Sequence, residues 1–266
     1  MDYPRVSIVT PSLNQGKYIR ETIESVLRQD YPDIEYLVQD GGSTDNTLDI
    51  LRSYGSRILW QSQPDKGQAD AINNGMARSS GLILTWLNSD DTLLPGAVRT
   101  IVGRFRRYPE AGLFYGNAIF TGSDGGFLFT TEVAHCDFEL MLETCRNPIC
   151  QPASFFTKEA WEKVGGLDTN LHYFFDWDLW LRLGYEFPLY ATSAVLATYR
   201  LHPESKTVRG AYPAGELAAI YDKLGKRKLG NRNKALYQRM AEYQSASGQP
   251  FQAWLSRRRA WLSRSG

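Results

Sequence analysis

The chain has 266 residues, 42% of them hydrophobic and 22% charged, with a formal net charge of +1. This composition excludes disordered, collagen-like and coiled-coil chains. The length allows one large domain, or a domain with an appendage, and is enough to bury a core without staples. No apolar run approaches the roughly 18 residues needed to cross a bilayer. The start, Met1-Asp2-Tyr3-Pro4-Arg5, carries an early acid and no apolar signal core, so a cytoplasmic, non-spanning protein is expected. Cys136, Cys145 and Cys150 form neither a paired framework nor a zinc pattern and read as reduced thiols. The small net charge hides an asymmetry: from residue 223 onward there are eleven Lys and Arg and one acid, a net +10 that leaves −9 on residues 1–222. Such a basic segment points to an anionic surface.

Val6-Ser7-Ile8-Val9-Thr10, a β-branched run between Pro4 and Pro11, predicts a buried strand close to the start of the chain. Ile19, Ile23, Val26 and Leu27 then recur at helical spacing and predict an amphipathic helix over 16–29. The alternation continues with a strand at 34–38, a helix at 46–54, a strand at 57–61, a helix at 68–78 and a strand at 82–87. Strands alternating with helices of this length indicate βαβ units in a mostly parallel sheet covered by helices on both faces. Beyond residue 110 the rhythm changes. Short β-like runs at 113–120 and 127–131 flank Gly122-Ser123-Asp124-Gly125-Gly126 and read as a hairpin. A helix rich in Leu and Trp begins at Asp178, one or two strands occupy 189–200, and only helical signals follow from Gly215.

In an open parallel sheet, ligands bind outside the carboxyl ends of the strands. Here those ends are polar: Thr10-Pro11-Ser12-Leu13-Asn14, Asp40-Gly41-Gly42-Ser43-Thr44-Asp45 and Asn88-Ser89-Asp90-Asp91. Taken singly each is also what a turn or a helix cap would use. Three such clusters on one sheet edge favour a shared pocket. Neither G-x-G-x-x-G after the first strand nor G-x-x-x-x-G-K-[ST] is present, so dinucleotide and P-loop readings lose their defining feature. The 88–91 cluster offers oxygen ligands for Mg²⁺ or Mn²⁺ against a diphosphate. Asp176 and Asp178, ahead of Leu179-Trp180-Leu181-Arg182, suit either a helix cap or, for Asp176, a general base.

In this order the motifs resemble a family-2 glycosyltransferase with the GT-A fold, over about residues 5–207. The resemblance rests on 6–14, on 40–45, on Asp65-Lys66-Gly67 leading to Asp70-Ala71-Ile72-Asn73, on 87–91, on Asp176-Trp177-Asp178-Leu179-Trp180-Leu181-Arg182 and on Tyr199-Arg200-Leu201-His202. Each is weak by itself, and six in order are specific. The resemblance implies a nucleotide-sugar site: Thr10, Pro11, Ser12 and Asn14 about the base and ribose, Asp40 accepting from a uracil-type imide with Ser43 beside it, Lys66 and Asp70 bordering diphosphate and sugar, and Asn88 and Ser89 nearby. The last acid of the family's D-x-D motif is matched by Asp90, with Asp91 beside it; His202 matches a position near the metal or diphosphate. Asn88 replaces the motif's first Asp, and Phe175 replaces the first carboxylate of the acidic pair that holds the base, leaving Asp176 as base.

The expected protein is therefore an inverting, metal-assisted glycosyltransferase using a nucleotide-diphosphate sugar, UDP-sugar favoured, and a glycan or lipid-linked acceptor, with no nucleic acid partner. Residues 1–212 would form the GT-A domain, its nucleotide half about 1–110 and its acceptor half about 111–212, with a basic helical extension at 213–266. Arg257, Arg258, Arg259 and Arg264, interleaved with Trp254, Leu255, Trp261 and Leu262, suit either a helix packed on the body or a peripheral contact with an anionic membrane. One rival is a catalytically silent nucleotide-sugar-binding module, consistent with Asn88 and Phe175. Another, a sugar nucleotidyltransferase, would need a glycine-rich basic loop where Ser12-Leu13-Asn14-Gln15-Gly16 stands.

Overall fold

The computed structural model describes residues 3–144 and 147–210, together with 215–217, 219, 220, 223 and 224. Cys145 and the basic segment beyond Leu224, including the Trp and Arg residues of 254–264, lie outside the described residues. In chain order the elements are β1 (Val6–Ser12), α1 (Ile19–Leu27), β2 (Ile34–Asp40), α2 (Thr47–Ser53), β3 (Leu59–Ser62), α3 (Gln68–Ala77), β4 (Ile83–Trp86), β5 (Thr92–Leu93), α4 (Ala97–Arg107), β6 (Leu113–Thr121), β7 (Phe127–Thr130), α5 (Phe138–Thr144), β8 (Ser154–Thr157), α6 (Lys158–Val164), α7 (Phe175–Glu186), β9 (Leu189–Arg200) and α8 (Lys206–Arg209).

All nine strands join one sheet, in the order β3-β2-β1-β4-β8-β6-β9-β5 with β7 paired to β6. The first four strands are parallel, as βαβ crossovers require. The second half is mixed: β8 runs antiparallel to both β4 and β6, whereas β6 and β9 are parallel. Every residue of β1 is buried, because a central parallel strand is covered on both faces. Pro11 is tolerated within β1 because it lies beyond Val9–Trp86, the last β1–β4 pair, so no ladder donor is lost there.

Two apolar layers cover the sheet. On one face α1, α2 and α4 bury Ile19, Ile23, Leu51, Val98 and Ile101; on the other α3, α6 and α7 bury Ile72, Met76, Trp161, Trp180 and Leu183. Gly75 lets α3 approach β1 closely, since a Cβ there would run into the Val9 side chain. Leu217, Ile220 and Leu224, beyond the expected boundary at 212, join the second layer. No helix among the described residues is long and apolar enough to cross a membrane.

Several boundaries differ from expectation for local reasons. The helix expected from 16 begins at Ile19, because residues 12–16 are held in a loop with Asn14 at φ 53°. The strand expected from Arg57 starts at Leu59, after a 3₁₀ turn over Gly55–Arg57. The helix expected from Asp178 starts at Phe175, which places Asp176 and Asp178 inside its first turn and makes neither one the cap. Unpredicted α4 shows the helical spacing of Val98, Ile101, Val102 and Phe105. Unpredicted α6 has Thr157 accepting the Ala160 amide at its start and left-handed Gly165 at its end.

Candidate active site at the carboxyl edge of the sheet

The loops after β1 and β2 are laced together. Gly41 N donates to Ser12 O at 2.8 Å, Asn14 N to Ser43 Oγ at 2.8 Å, and Thr44 N to Asn14 Oδ1 at 2.8 Å. An Asn accepts the left-handed conformation at 14 more readily than most residues. Asp40 organises this region: its fully buried carboxylate accepts from Gly42 N (3.0 Å), Ser43 N (2.9 Å), Ser43 Oγ (2.5 Å) and Ser62 Oγ (2.6 Å). Four bonds on two oxygens leave Asp40 as scaffold. Thr10 is also committed, its hydroxyl 3.0 Å from Tyr36 Oη and buried. Ser12 Oγ is buried at the same edge with no hydrogen-bond partner.

Asp65, quoted in the motif but given no role from sequence, stands beside this loop. Its Oδ1 accepts Gly67 N at 2.8 Å, and it lies close over Gly41, where a Cβ would sit 2.6 Å from Asp65 Oδ2. Burial, followed by the nearby charges of Asp70 and Asp40, holds its carboxyl above the ordinary value. Asp70 turns back to accept Lys66 N at 3.0 Å, fixing the turn into α3 and leaving the Lys66 side chain exposed.

Asn88 is a hub. It accepts from Gln68 Nε2 at 2.8 Å and donates to Gln151 Oε1 at 3.1 Å and Asp91 Oδ2 at 3.3 Å. Ser89 Oγ donates to Pro11 O at 3.0 Å and ties the ends of β4 and β1. The two acids that follow part company. Asp91 is buried, with Oδ1 accepting Arg200 N at 2.9 Å; burial first, then Asp90, pushes its carboxyl well above the ordinary range. Expected as a metal ligand, Asp91 instead faces inward and anchors the end of β9. Asp90 stays partly exposed, and its Oδ2 lies 2.9 Å from His202 Nε2.

His202 is buried against the Tyr18 ring, 4.7 Å between centroids, and its Nδ1 has no hydrogen-bond partner among the described residues. Among the described residues no group of three or more His, Cys, Asp or Glu is gathered to hold an ion. The expected trio of Asp90, Asp91 and His202 is thus reduced to a pair, Asp90 and His202. That pair nonetheless fits a divalent cation, since a carboxylate oxygen and an imidazole nitrogen stand 2.9 Å apart at the strand edge. Cations such as Mg²⁺ commonly take one or two protein ligands and complete their shell with substrate phosphate.

Asp176 stands in the first turn of α7. Its Oδ1 accepts Trp177 N at 2.8 Å and its Oδ2 a long contact from Asn147 Nδ2 at 3.4 Å. Burial raises its carboxyl to about 6, against the smaller opposing effects of these bonds and of Lys206. Cys150 lies within electrostatic reach of both Asp91 and Asp176, so the two carboxylates flank one region. Phe175, where a second carboxylate would stand, is buried against Trp86, which itself stacks on Trp180 at 5.5 Å. Asp178 is buried too, paired with Arg182 at 2.5 and 2.8 Å.

Comparison with known proteins agrees with this geometry. The model of the family described as "Glycosyl transferase family 2" matches residues 7–156, more than half of the chain. The chondroitin synthase of Escherichia coli is 28% identical over 218 residues, covering 77% of this chain and 30% of that protein. Staphylococcus aureus TarS, solved as residues 1–349 with UDP-GlcNAc, superposes with TM-score 0.66 at 17% identity, covering 82% of this chain and 64% of that one. The mannosyltransferase PcManGT of Pyrobaculum calidifontis, solved with GDP-Man and Mn²⁺, gives 0.64 at 17% identity, covering 98% and 81%. The chain therefore spans under a third of the synthase and under two thirds of the TarS chain. With a parallel first half, a mixed second half and Asp90 at the strand edge between them, the chain has the GT-A fold and belongs to glycosyl transferase family 2.

Proposed function

We propose that the protein moves a sugar from a nucleoside diphosphate sugar, with uridine diphosphate favoured over thymidine diphosphate, to a hydroxyl of a glycan or lipid-linked acceptor, inverting the anomeric centre. The observation that carries this reading is the pairing of Asp90 and His202 at the strand edge, beside Asp91, which shares the electrostatic neighbourhood of Cys150 with Asp176. On this reading the 12–16 and 40–45 loops cradle the base and ribose, and Lys66 borders the diphosphate. A divalent cation held by Asp90 and His202 would neutralise charge on the diphosphate.

Asp176 takes the proton of the acceptor hydroxyl while that oxygen bonds to the anomeric carbon. The bond from that carbon to the diphosphate oxygen breaks, and its electron pair leaves with the nucleotide. A carboxyl near 6 is ionised at pH 7 yet more basic than an exposed one, which suits a general base. The chain needs no nucleophile of its own for a single displacement.

Phe175 and Asn88, each standing where the family pattern has a carboxylate, support a second reading, a module that binds the donor without transfer. Nucleoside diphosphate release from UDP-GlcNAc and GDP-Man with Mn²⁺, measured alongside calorimetric binding, tests both. Release is expected. Binding without release favours the silent module, and neither binding nor release removes both readings.

A further inference from the structure

The connection leading into α7 is anchored from three other parts of the chain. Asn73 of α3 exchanges two hydrogen bonds with the Leu167 backbone, at 2.9 and 3.0 Å, and Lys223 pairs with Asp168 at 2.6 Å. Lys206 Nζ donates to His172 O at 2.9 Å. The last turn before the helix is held by Glu216: Oε1 accepts His172 N at 2.9 Å, and Oε2 accepts Tyr173 N at 2.9 Å and Phe174 N at 3.2 Å. Phe174, the cap residue, supplies no side-chain bond of its own. A helix start leaves backbone donors without intrahelical partners, and an anionic acceptor there is favoured by their dipoles. The clamp is rigid because neighbouring Leu217 and Ile220 are seated in the core.

We infer that Glu216 is a positioning residue for Asp176: by gathering three successive backbone donors it fixes the turn that aims the Asp176 carboxyl. This rests on Asp176 being the base. The charged and titratable groups around Asp176 are Lys206 of α8, Cys150 ahead of the 3₁₀ turn at Gln151–Ala153, Glu216, which like Asp176 acts on Lys206, and Asp178 on its own helix, which Arg182 neutralises. Of these, Glu216 alone makes the three backbone bonds. A Gln at 216 keeps the size but loses the charge, and it turns an N–H₂ group toward amides that need an acceptor.

The full chain, carrying ¹³C-carboxyl aspartate, is titrated by NMR, with the Asp176 signal assigned by its loss in Asp176→Asn. In Glu216→Gln the amides of Tyr173 and Phe174 are expected to exchange at least ten-fold faster, and the Asp176 midpoint to fall toward the ordinary carboxylate value as water reaches it. Donor turnover falls at least ten-fold, while affinity for UDP with Mn²⁺ stays within two-fold. Glu216→Asp, which keeps the charge but reaches less far, serves if the Gln variant does not fold, and is expected to lie between it and wild type. An unmoved Asp176 midpoint and unchanged exchange in both variants overturn the inference. Near wild-type turnover in Asp176→Asn would instead remove the base reading on which it rests, so the two failures are distinguishable.

Discussion

The Nε2 of His202 lies 2.9 Å from the Oδ2 of Asp90, although 112 residues separate them in the chain. Three neighbouring contacts hold this pair in place. Arg200 N donates to Asp91 and Arg200 Nε to Asp90 O, while Thr22 Oγ1 donates to Asp91 O at 2.7 Å. Asp91 thus fixes the geometry that Asp90 uses.

Metal-dependent binding of UDP should accordingly separate the two acids. Asp90→Ala is expected to lose at least ten-fold of the affinity measured with Mn²⁺, roughly 1.4 kcal/mol, and to bind as wild type does in chelator. His202→Ala should act in the same direction. Asp91→Ala should chiefly lower the melting temperature. Calorimetry with and without Mn²⁺, alongside thermal melts, checks all three.

Asp176→Asn is expected to keep donor affinity and lose turnover by about 10²- to 10⁴-fold, the usual worth of a general base. The wild-type rate should fall as pH drops through about 6, where the carboxyl takes up its proton.

The same carboxyl has a stability signature of opposite sign to its catalytic value. Its folded pKa is raised, so the folded state holds the proton more tightly, and that stabilisation is present below the unfolded value and lost as pH rises through about 6. Asp176→Asn should therefore raise the melting temperature at pH 8 relative to wild type and change it little at pH 4. An equal shift at both values would show that burial of the charge is not the cause.

Asp178 behaves as an interior ion-pair residue and not as a helix cap. Asp178→Ala leaves the largely buried Arg182 guanidinium with only Val164 O at 2.7 Å, and should cost about 3–5 kcal/mol, against about 1 kcal/mol for a lost cap. Chemical denaturation gives the number.

The basic segment leads to a membrane test. Attraction of roughly 1 kcal/mol per Lys or Arg near an anionic surface would suffice for reversible docking by several together. The full chain is expected to co-sediment with anionic liposomes at low salt and to be released at high salt, and a chain ending before Gly248 to remain in the supernatant. Both remaining in the supernatant at low salt would remove the membrane role.

Local pattern was enough for the alternation of strands and helices through residue 87, because burial on both faces imposes apolar runs on the strands and 3.6-residue spacing on the helices. It also put Asp40, Asn88 and Asp90 just after strands, at the carboxyl edge of the sheet. It did not determine which carboxylates face outward. Asp90 and Asp91 are adjacent and chemically identical, and only the arrival of Arg200 N from β9 makes one a scaffold and leaves the other in the site. Asp178 read as a cap because the helix was expected to start there; it starts at Phe175, and the acceptor for the turn before it comes from Glu216, more than forty residues downstream. Periodicity reports what each residue does to its own segment. Hydrogen bonds between segments depend on how the sheet closes, and they decide which polar groups remain for chemistry.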